Sequence, residues 1–422
     1  MAESAPRGVR IGNTLVALFV GIGWSTCQSV AAADTPVSLS GSVRADYFGS
    51  TRTLDDRRDL LGATLQVKGI ARPSDNTSIK VEARATSPAI GRSSPKSDAS
   101  LVEGYASLNA GRWDWRLGHQ IVAWGRADGI NPTDVVSPRN TTVLLPFDVD
   151  QRRGIWGAMG TYALSSETSL SLLWKTDFEP TGIAIPADER SNYQFQEPDH
   201  QQAQWGMRLN RAGDDVDWSV SLFRGHSLLP NAGPDQPAPG MPLRLTYPLI
   251  TMLGADLAKN FGAFGTRFEA AYTVPVNTPR AQEPGLRRNL YVVAGVDRTF
   301  FPRLNVNVQA FVRHAWGLPN ALDGQYTTAQ GFNAATFMQQ RPWVHGLTLR
   351  VSNAWLHDTL EAEVFVQRFF RDDDTFVQPM VTYAFSDAVR GTVGAQYYAG
   401  SGAQFGPMKR NRGLFAELRY SF

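Results

Sequence analysis

Apolar and polar residues alternate at a spacing of two along nearly the whole chain, and the links between these segments alternate short and long. Segments of about ten residues are read at 39–49, 58–69, 77–87, 99–109, 113–120, 152–163, 168–176, 203–210, 215–224, 244–258, 264–273, 289–300, 304–315, 345–356, 360–369, 375–385, 388–399 and 412–422. Ile79, Val81, Ala83 and Ala85 oppose Lys80, Glu82, Arg84 and Thr86, and Leu304, Val306, Val308, Ala310 and Val312 oppose Asn305, Asn307, Gln309, Phe311 and Arg313. Successive side chains of a strand point to opposite faces, so this period predicts strands with one apolar and one polar face. Short links stand at Ala71–Asn76, Ala110–Arg112, Leu164–Glu167, Arg211–Asp214, Lys259–Ala263, Phe301–Arg303, His357–Thr359 and Ser386–Asp387. Longer ones between them include 121–151, 177–202, 225–243, 274–288 and 316–344. A stack of soluble sandwiches has no reason to sort its loops by parity. The pattern predicts an all-β fold, a closed antiparallel barrel of about 18 strands (16–18) with both ends on the short-turn side.

The amino terminus has the layout of an export signal. Arg7 and Arg10 precede an apolar stretch from Thr14 to Trp24, too short to span a bilayer, and Ala31-Ala32-Ala33 follows. Cleavage after Ala33 leaves residues 34–422 as a single barrel domain and removes Cys27, the one cysteine. An exported chain without thiols excludes a cysteine nucleophile, a cysteine-ligated metal and a disulfide scaffold. Lys and Arg number 41 against 39 Asp and Glu, and no basic block suggests nucleic acid. No metal or cofactor motif stands out.

Aromatic residues fall at both ends of the segments, as two interfacial girdles require. Trp113, Trp115, Phe300, Phe301, Trp355, Tyr420 and Phe422 map to the short-turn side, and Tyr47, Trp174, Tyr272, Phe369, Phe370, Tyr397 and Tyr398 to the long-loop side. In the last segment Leu414, Ala416, Leu418, Tyr420 and Phe422 oppose Phe415, Glu417, Arg419 and Ser421. An apolar face ending on a terminal aromatic resembles the closing strand of Gram-negative outer-membrane barrels. That resemblance implies that Leu418, Tyr420 and Phe422 belong to the signal read by the barrel-assembly machinery. It also implies periplasmic chaperones in transit, and outer-membrane lipid and lipopolysaccharide as the final surroundings.

A barrel of this size leaves an aqueous channel. The polar face carries Arg44, Lys68, Lys80, Arg84, Arg116, Arg152, Lys175, Arg208, Arg267, Arg313, Arg350, Arg390 and Arg419. The acids there are Asp46, Glu82, Glu103, Asp114, Asp217, Asp256, Glu269, Asp297, Glu361, Glu363 and Glu417. Arg44, Lys80, Arg84, Arg116, Arg208, Arg267 and Arg313 are the candidate pore-lining cations. Most such charges are expected to pair across neighbouring strands, while a subset can orient a polar or anionic solute.

The long link 121–151 is rich in constrained turns, with Gly125, Gly129, Asn131-Pro132 and Ser137-Pro138. It is expected to fold into or over the pore as a constriction loop, with Trp124, Arg126, Asp128, Asn131, Asp134 and Arg139 at the narrowing. The competing reading is an external cap whose Arg and Asp residues pair with each other. Gly118-His119-Gln120, then Trp124-Gly125, then Asn131-Pro132 resembles a motif of uncharacterised outer-membrane channel families distantly related to the alginate-export porins, with His119 where those carry Arg. The resemblance implies a monomeric 18-stranded channel.

Barrel hydrolases need a His within reach of Ser or a carboxylate. His200 follows Asp199 and His226 precedes Ser227, but no Gly-x-Ser-x-Gly or His-Glu-x-x-His motif occurs. The expected function is a passive, selective outer-membrane channel for small polar, anionic or amphipathic solutes, and not an enzyme. Export of a polysaccharide or lipid-like product is the alternative, and a barrel hydrolase a further one.

Overall fold

The computed structural model describes residues 37–51, 59–90, 98–141, 151–183, 185, 190–198, 203–233, 241–276, 285–318, 328–371, 373–402 and 404–422. The expected signal peptide, residues 1–33, lies outside them, as do 142–150 of the long link. The strands are β1 (Val37–Ser50), β2 (Asp59–Ser74), β3 (Thr77–Ile90), β4 (Asp98–Ala110), β5 (Trp113–Gln120), β6 (Ile155–Ala163) and β7 (Thr168–Lys175). Then come β8 (Tyr193–Gln196), β9 (Gln204–Arg211), β10 (Asp217–His226), β11 (Asn231–Ala232), β12 (Leu243–Thr246), β13 (Leu249–Phe261) and β14 (Phe264–Pro275). β15 (Asn289–Phe300), β16 (Leu304–Ala315), β17 (Trp343–Trp355), β18 (Leu360–Phe369), β19 (Thr375–Ala384), β20 (Val389–Ala399) and β21 (Gly413–Ser421) complete the set.

Eighteen of these strands form one sheet in which each pairs antiparallel with its neighbour. β1 closes the circle on β21, in register from Ser42 opposite Ser421 to Ser50 opposite Gly413. Gly41 and Phe422 extend that seam, each donating its N–H to the other's carbonyl at 2.8 and 3.0 Å. Closure leaves no unpaired sheet edge, which is the condition for strands to cross a membrane.

The burial pattern is inverted relative to a soluble barrel. Val81, Leu117, Trp174, Val220, Leu253, Val393 and Leu414 are exposed on the outer face, while Thr64, Asp256, Glu269, Asn307, Gln309 and Thr348 are buried on the inner one. This is the apolar-out, polar-in order of an outer-membrane barrel. Tight turns such as Gly111 and Gly262 (φ +67° and +59°) use the left-handed backbone that glycine adopts without penalty.

Two expectations need correction, and one link holds an element that the alternation did not show. The segment read at 244–258 is two strands: Pro248 has no N–H for a ladder, so Leu243–Thr246 leaves the barrel and joins β8 and β11 in a small separate sheet. The apolar period runs through this break, which hid it. Phe369 and Tyr398, placed in the outer girdle, are buried and turn inward, whereas Phe370 and Tyr397 face out. In each adjacent pair only one ring can face lipid. Finally, the link 316–344 holds a helix, α1 (Thr328–Thr336), that alternation at two could not reveal. α1, β8, β11 and β12 share an apolar cluster of Ala232, Leu243, Leu245 and Ala329, flanked by Tyr193 and Phe332.

Candidate functional site

The link after β5 is positioned by carboxylates on the inner wall. Glu269 on β14 is completely buried, and its Oε2 accepts the backbone N–H of Arg126 at 3.0 Å and of Ala127 at 3.1 Å. Its Oε1 accepts both the N–H and the hydroxyl of Thr133 at 2.8 Å. A buried charge is tolerable only when its lone pairs are satisfied in this way. Gly125 makes the approach possible: its φ is +93°, and a Cβ there would sit 2.5 Å from the Glu269 carboxylate.

Arg126 reaches the wall on one side. Its Nε donates to Asp256 at 2.6 Å, Nη1 to Asp217 at 3.3 Å, and Nη2 to Asn210 at 2.7 Å. Asp256 is held from its other oxygen by Arg208 at 3.1 Å. Two residues on, Asp128 meets Arg350 of β17 at 3.2 Å and accepts from Asn307 of β16 at 3.5 Å. Gly129 lies against the ring of Phe365, where a Cβ would come within 3.4 Å. Phe365 stands on β18, nine strands round the wall from β6, the opposite point of an eighteen-strand circle.

Trp124 fixes the near half. Its buried indole meets the Phe223 ring edge-on at 6.3 Å and fills the space that a Cβ on Gly206 would enter at 2.6 Å. Val122, Val136, Ile155, Leu173, Met252 and Ala271 complete that cluster. Ala127 belongs to a second cluster with Val293, Phe311, Phe369, Tyr398 and Phe405. Asp134 pairs with both Arg139 and Arg152 at 2.9 Å. Burial pulls the Arg139 guanidinium below its ordinary range; Asp134 opposes this and Arg152 reinforces it. The Asn131 carbonyl accepts from Asp134 in a turn at 3.2 Å, and its side-chain Oδ1 is buried.

The seven wall cations divide by environment. Arg44 pairs with Glu417 at 3.2 Å, Lys80 with Glu82 at 3.1 Å and also with Glu103, and Arg267 with Asp297 at 2.6 Å. Arg84 faces inward on β3, opposite Gln66 of β2. Arg116 lies over the Tyr105 ring at 5.5 Å. Arg313 instead reaches the turn just after α1, donating to the carbonyls of Phe337 and Met338 and to Gln339, and so ties a loop to the wall. Among the described residues, no group of three or more His, Cys, Asp or Glu side chains is placed to hold a metal. His226 bonds the Tyr247 carbonyl at 2.8 Å while Ser227 bonds that of Leu229 at 2.9 Å, so these neighbours do not form a His–Ser pair.

The role of Asp374 had no sequence signal. It is fully buried immediately before β19, and its carboxylate accepts from the N–H groups of Gly402, Gln404 and Phe405 at 2.8, 3.0 and 2.9 Å. An acid beside a strand announces lumen or loop. Which distant backbone it gathers is a property of the closed barrel.

Solved outer-membrane channels share this architecture at low sequence identity. Acinetobacter baumannii OccAB2 superposes with a TM-score of 0.59 at 9% identity, over 92% of this chain and 98% of that one. Pseudomonas aeruginosa OccK8 (OprE) gives 0.57 at 11%, and Pseudomonas aeruginosa OpdK, solved with vanillate, 0.54 at 8%; each comparison covers 92% of this chain and 98% of the other. They show the fold. No curated protein matches the sequence significantly. The family described as "Protein of unknown function (DUF1302)" matches residues 75–422, most of the chain, which therefore belongs to that family.

Proposed function

We propose that the protein is a passive outer-membrane channel for small polar, anionic or amphipathic solutes, narrowed by the link after β5. One observation carries this reading. Arg126 and Asp128, two residues apart, engage partners of opposite sign four to five strands apart on the wall: Asp217 of β10 and Asp256 of β13 on one side, Arg350 of β17 on the other. A segment rooted between β5 and β6 and held along this arc as far as Phe365 narrows the lumen and leaves a field of close-set opposite charges beside the remaining passage, Arg126 and Arg208 with Asp217 and Asp256, then Arg350 with Asp128 and Glu363. Such a field orients a dipolar or charged solute during passage. The fold is shared with channels, one of them solved with vanillate, which fits a small organic solute.

Arg208 pairs with Asp256 two strands away, across β10, and Arg350 with Glu363 of the neighbouring β18. Strong ionic selectivity is therefore not expected; discrimination rests on size and orientation. The test is conductance of the purified mature protein in planar bilayers, with candidate solutes as blockers. Deleting residues 124–140 should raise the unitary conductance. An absence of any conductance would sink the channel, and an unchanged value after deletion would sink the constriction.

A further inference from the structure

The lipid-facing surface carries a cation and aromatic cluster at the extracellular end of four strands. Tyr272 of β14, Leu290 of β15, His314 of β16 and Trp343 of β17 form one row, each opposite the next in register. Leu290 and Trp343 are exposed, so the row stands on the outer face. Its level follows from the turns, because β14–β15 and β16–β17 are joined here by long links and at the other end by short ones.

Above the row, Trp316 meets Tyr272 at 5.8 Å and His314 at 4.6 Å, and His314 lies 4.2 Å from Trp343. The Arg288 guanidinium is stacked over Trp316 at 5.1 Å. Arg288 is exposed, and among the described residues no carboxylate pairs with it. The buried Nδ1 of His314 has no hydrogen-bond partner either.

Arg298, at the periplasmic end, sharpens the contrast. It is closed between Phe264 and Phe300 at 4.7 and 4.8 Å, with its Nε buried. Arg288 has a ring on one side only and keeps its donor edge open. A guanidinium presents a planar fork of N–H groups that matches phosphate oxygens. At the interfacial level of the outer face, the anions available to it are the phosphates of lipid headgroups.

We propose that Arg288, oriented by Trp316 and His314, binds the phosphate of a glycolipid in the extracellular leaflet of the outer membrane. The indoles of Trp316 and Trp343 hold the site at headgroup depth, where aromatic residues partition. This inference is independent of what passes through the pore.

Native mass spectrometry of the detergent-solubilised full barrel, titrated with bisphosphoryl lipid A, tests it. Arg288→Ala should weaken retention about fivefold, the effect of one basic residue at an anionic lipid surface. Arg288→Lys should restore part of it, and Trp316→Ala should lower it with the arginine present. Arg298→Ala should leave retention unchanged. Heat-modifiable gel mobility checks that each variant is folded; Arg288 takes part in the β15–β16 ladder only through its carbonyl, which accepts the Trp316 N–H at 3.0 Å, and the substitutions leave that bond in place. Unchanged binding in Arg288→Ala overturns the proposal, as does an equal loss in Arg298→Ala. Phosphatidylglycerol retained as tightly as lipid A would overturn the assignment to a glycolipid.

Discussion

Glu269 and Thr133 are joined by two hydrogen bonds to one atom: the N–H and the hydroxyl of Thr133 both donate to Glu269 Oε1 at 2.8 Å. With the N–H groups of Arg126 and Ala127 on Oε2, a single strand carboxylate gathers both ends of an eight-residue turn. Hydrogen bonds to charged groups contribute about 1.5–3 kcal/mol each. Glu269→Gln turns one acceptor into a donor facing those N–H groups, and the link should detach from the wall. Unitary conductance is expected to rise severalfold, with barrel melting little changed because the ladder is untouched. A wild-type conductance in this variant would mean that the clusters around Trp124 and Ala127 suffice to hold the loop.

On the proposed reading, Arg126 offsets the acids on its side of the passage. In Arg126→Gln, Asp256 keeps Arg208 at 3.1 Å, whereas Asp217 loses its guanidinium partner at 3.3 Å. The near wall becomes more anionic, so the reversal potential in a salt gradient should move toward cation preference. Asp128→Asn frees Arg350 from one of its two acids and should move it the other way. Equal shifts of the same sign in both variants would show that the two residues do not flank one passage.

Much of this arrangement was legible in the sequence. Alternation at two and the parity of link lengths yield the 18 strands, with bounds within about five residues, because lipid outside and water inside force opposite chemistry on the two faces of every strand. Lumen-facing positions such as Arg44, Lys80, Arg208 and Glu417 follow from the same rule. The rule fails where the environment stops being two-sided. Leu243–Thr246 keeps the period but packs against other loops, and Phe369 and Tyr398 are aromatic yet face inward beneath Phe405. The anchoring roles of Glu269 and Asp374 depend on which loop reaches them after closure. Glu269 lies more than 130 positions from the backbone that it holds.

Trp124 and Gly206 form a matched pair, since the indole occupies the space above the glycine. Trp124→Ala removes a buried aromatic, a change that costs about 3–5 kcal/mol in a packed core. Gly206→Val drives a side chain into the same space from the wall. Both should produce a noisier and larger conductance by loosening the near half of the link. Trp124→Ala combined with Gly206→Val should be less severe than the sum of the two, because the new side chain partly refills the void. Strict additivity of the two effects would argue that the residues act separately.

The seam between β1 and β21 separates closure from recognition. Gly41 and Phe422 exchange backbone hydrogen bonds, and a Cβ on Gly41 would lie 2.4 Å from the Gln66 carbonyl and 2.7 Å from the Phe422 ring. Gly41→Val therefore forces the last rung apart and should lower the yield of heat-modifiable barrel even in detergent refolding. Phe422→Ala keeps both backbone bonds and removes only a half-exposed ring, so refolding in detergent should match the natural chain. In cells the outcome should differ: if the terminal ring, with Leu418 and Tyr420, is what the assembly machinery reads, outer-membrane levels of Phe422→Ala fall severalfold. Normal levels in cells would reduce the ring to a girdle residue, and failed refolding in detergent would make it part of the closure itself.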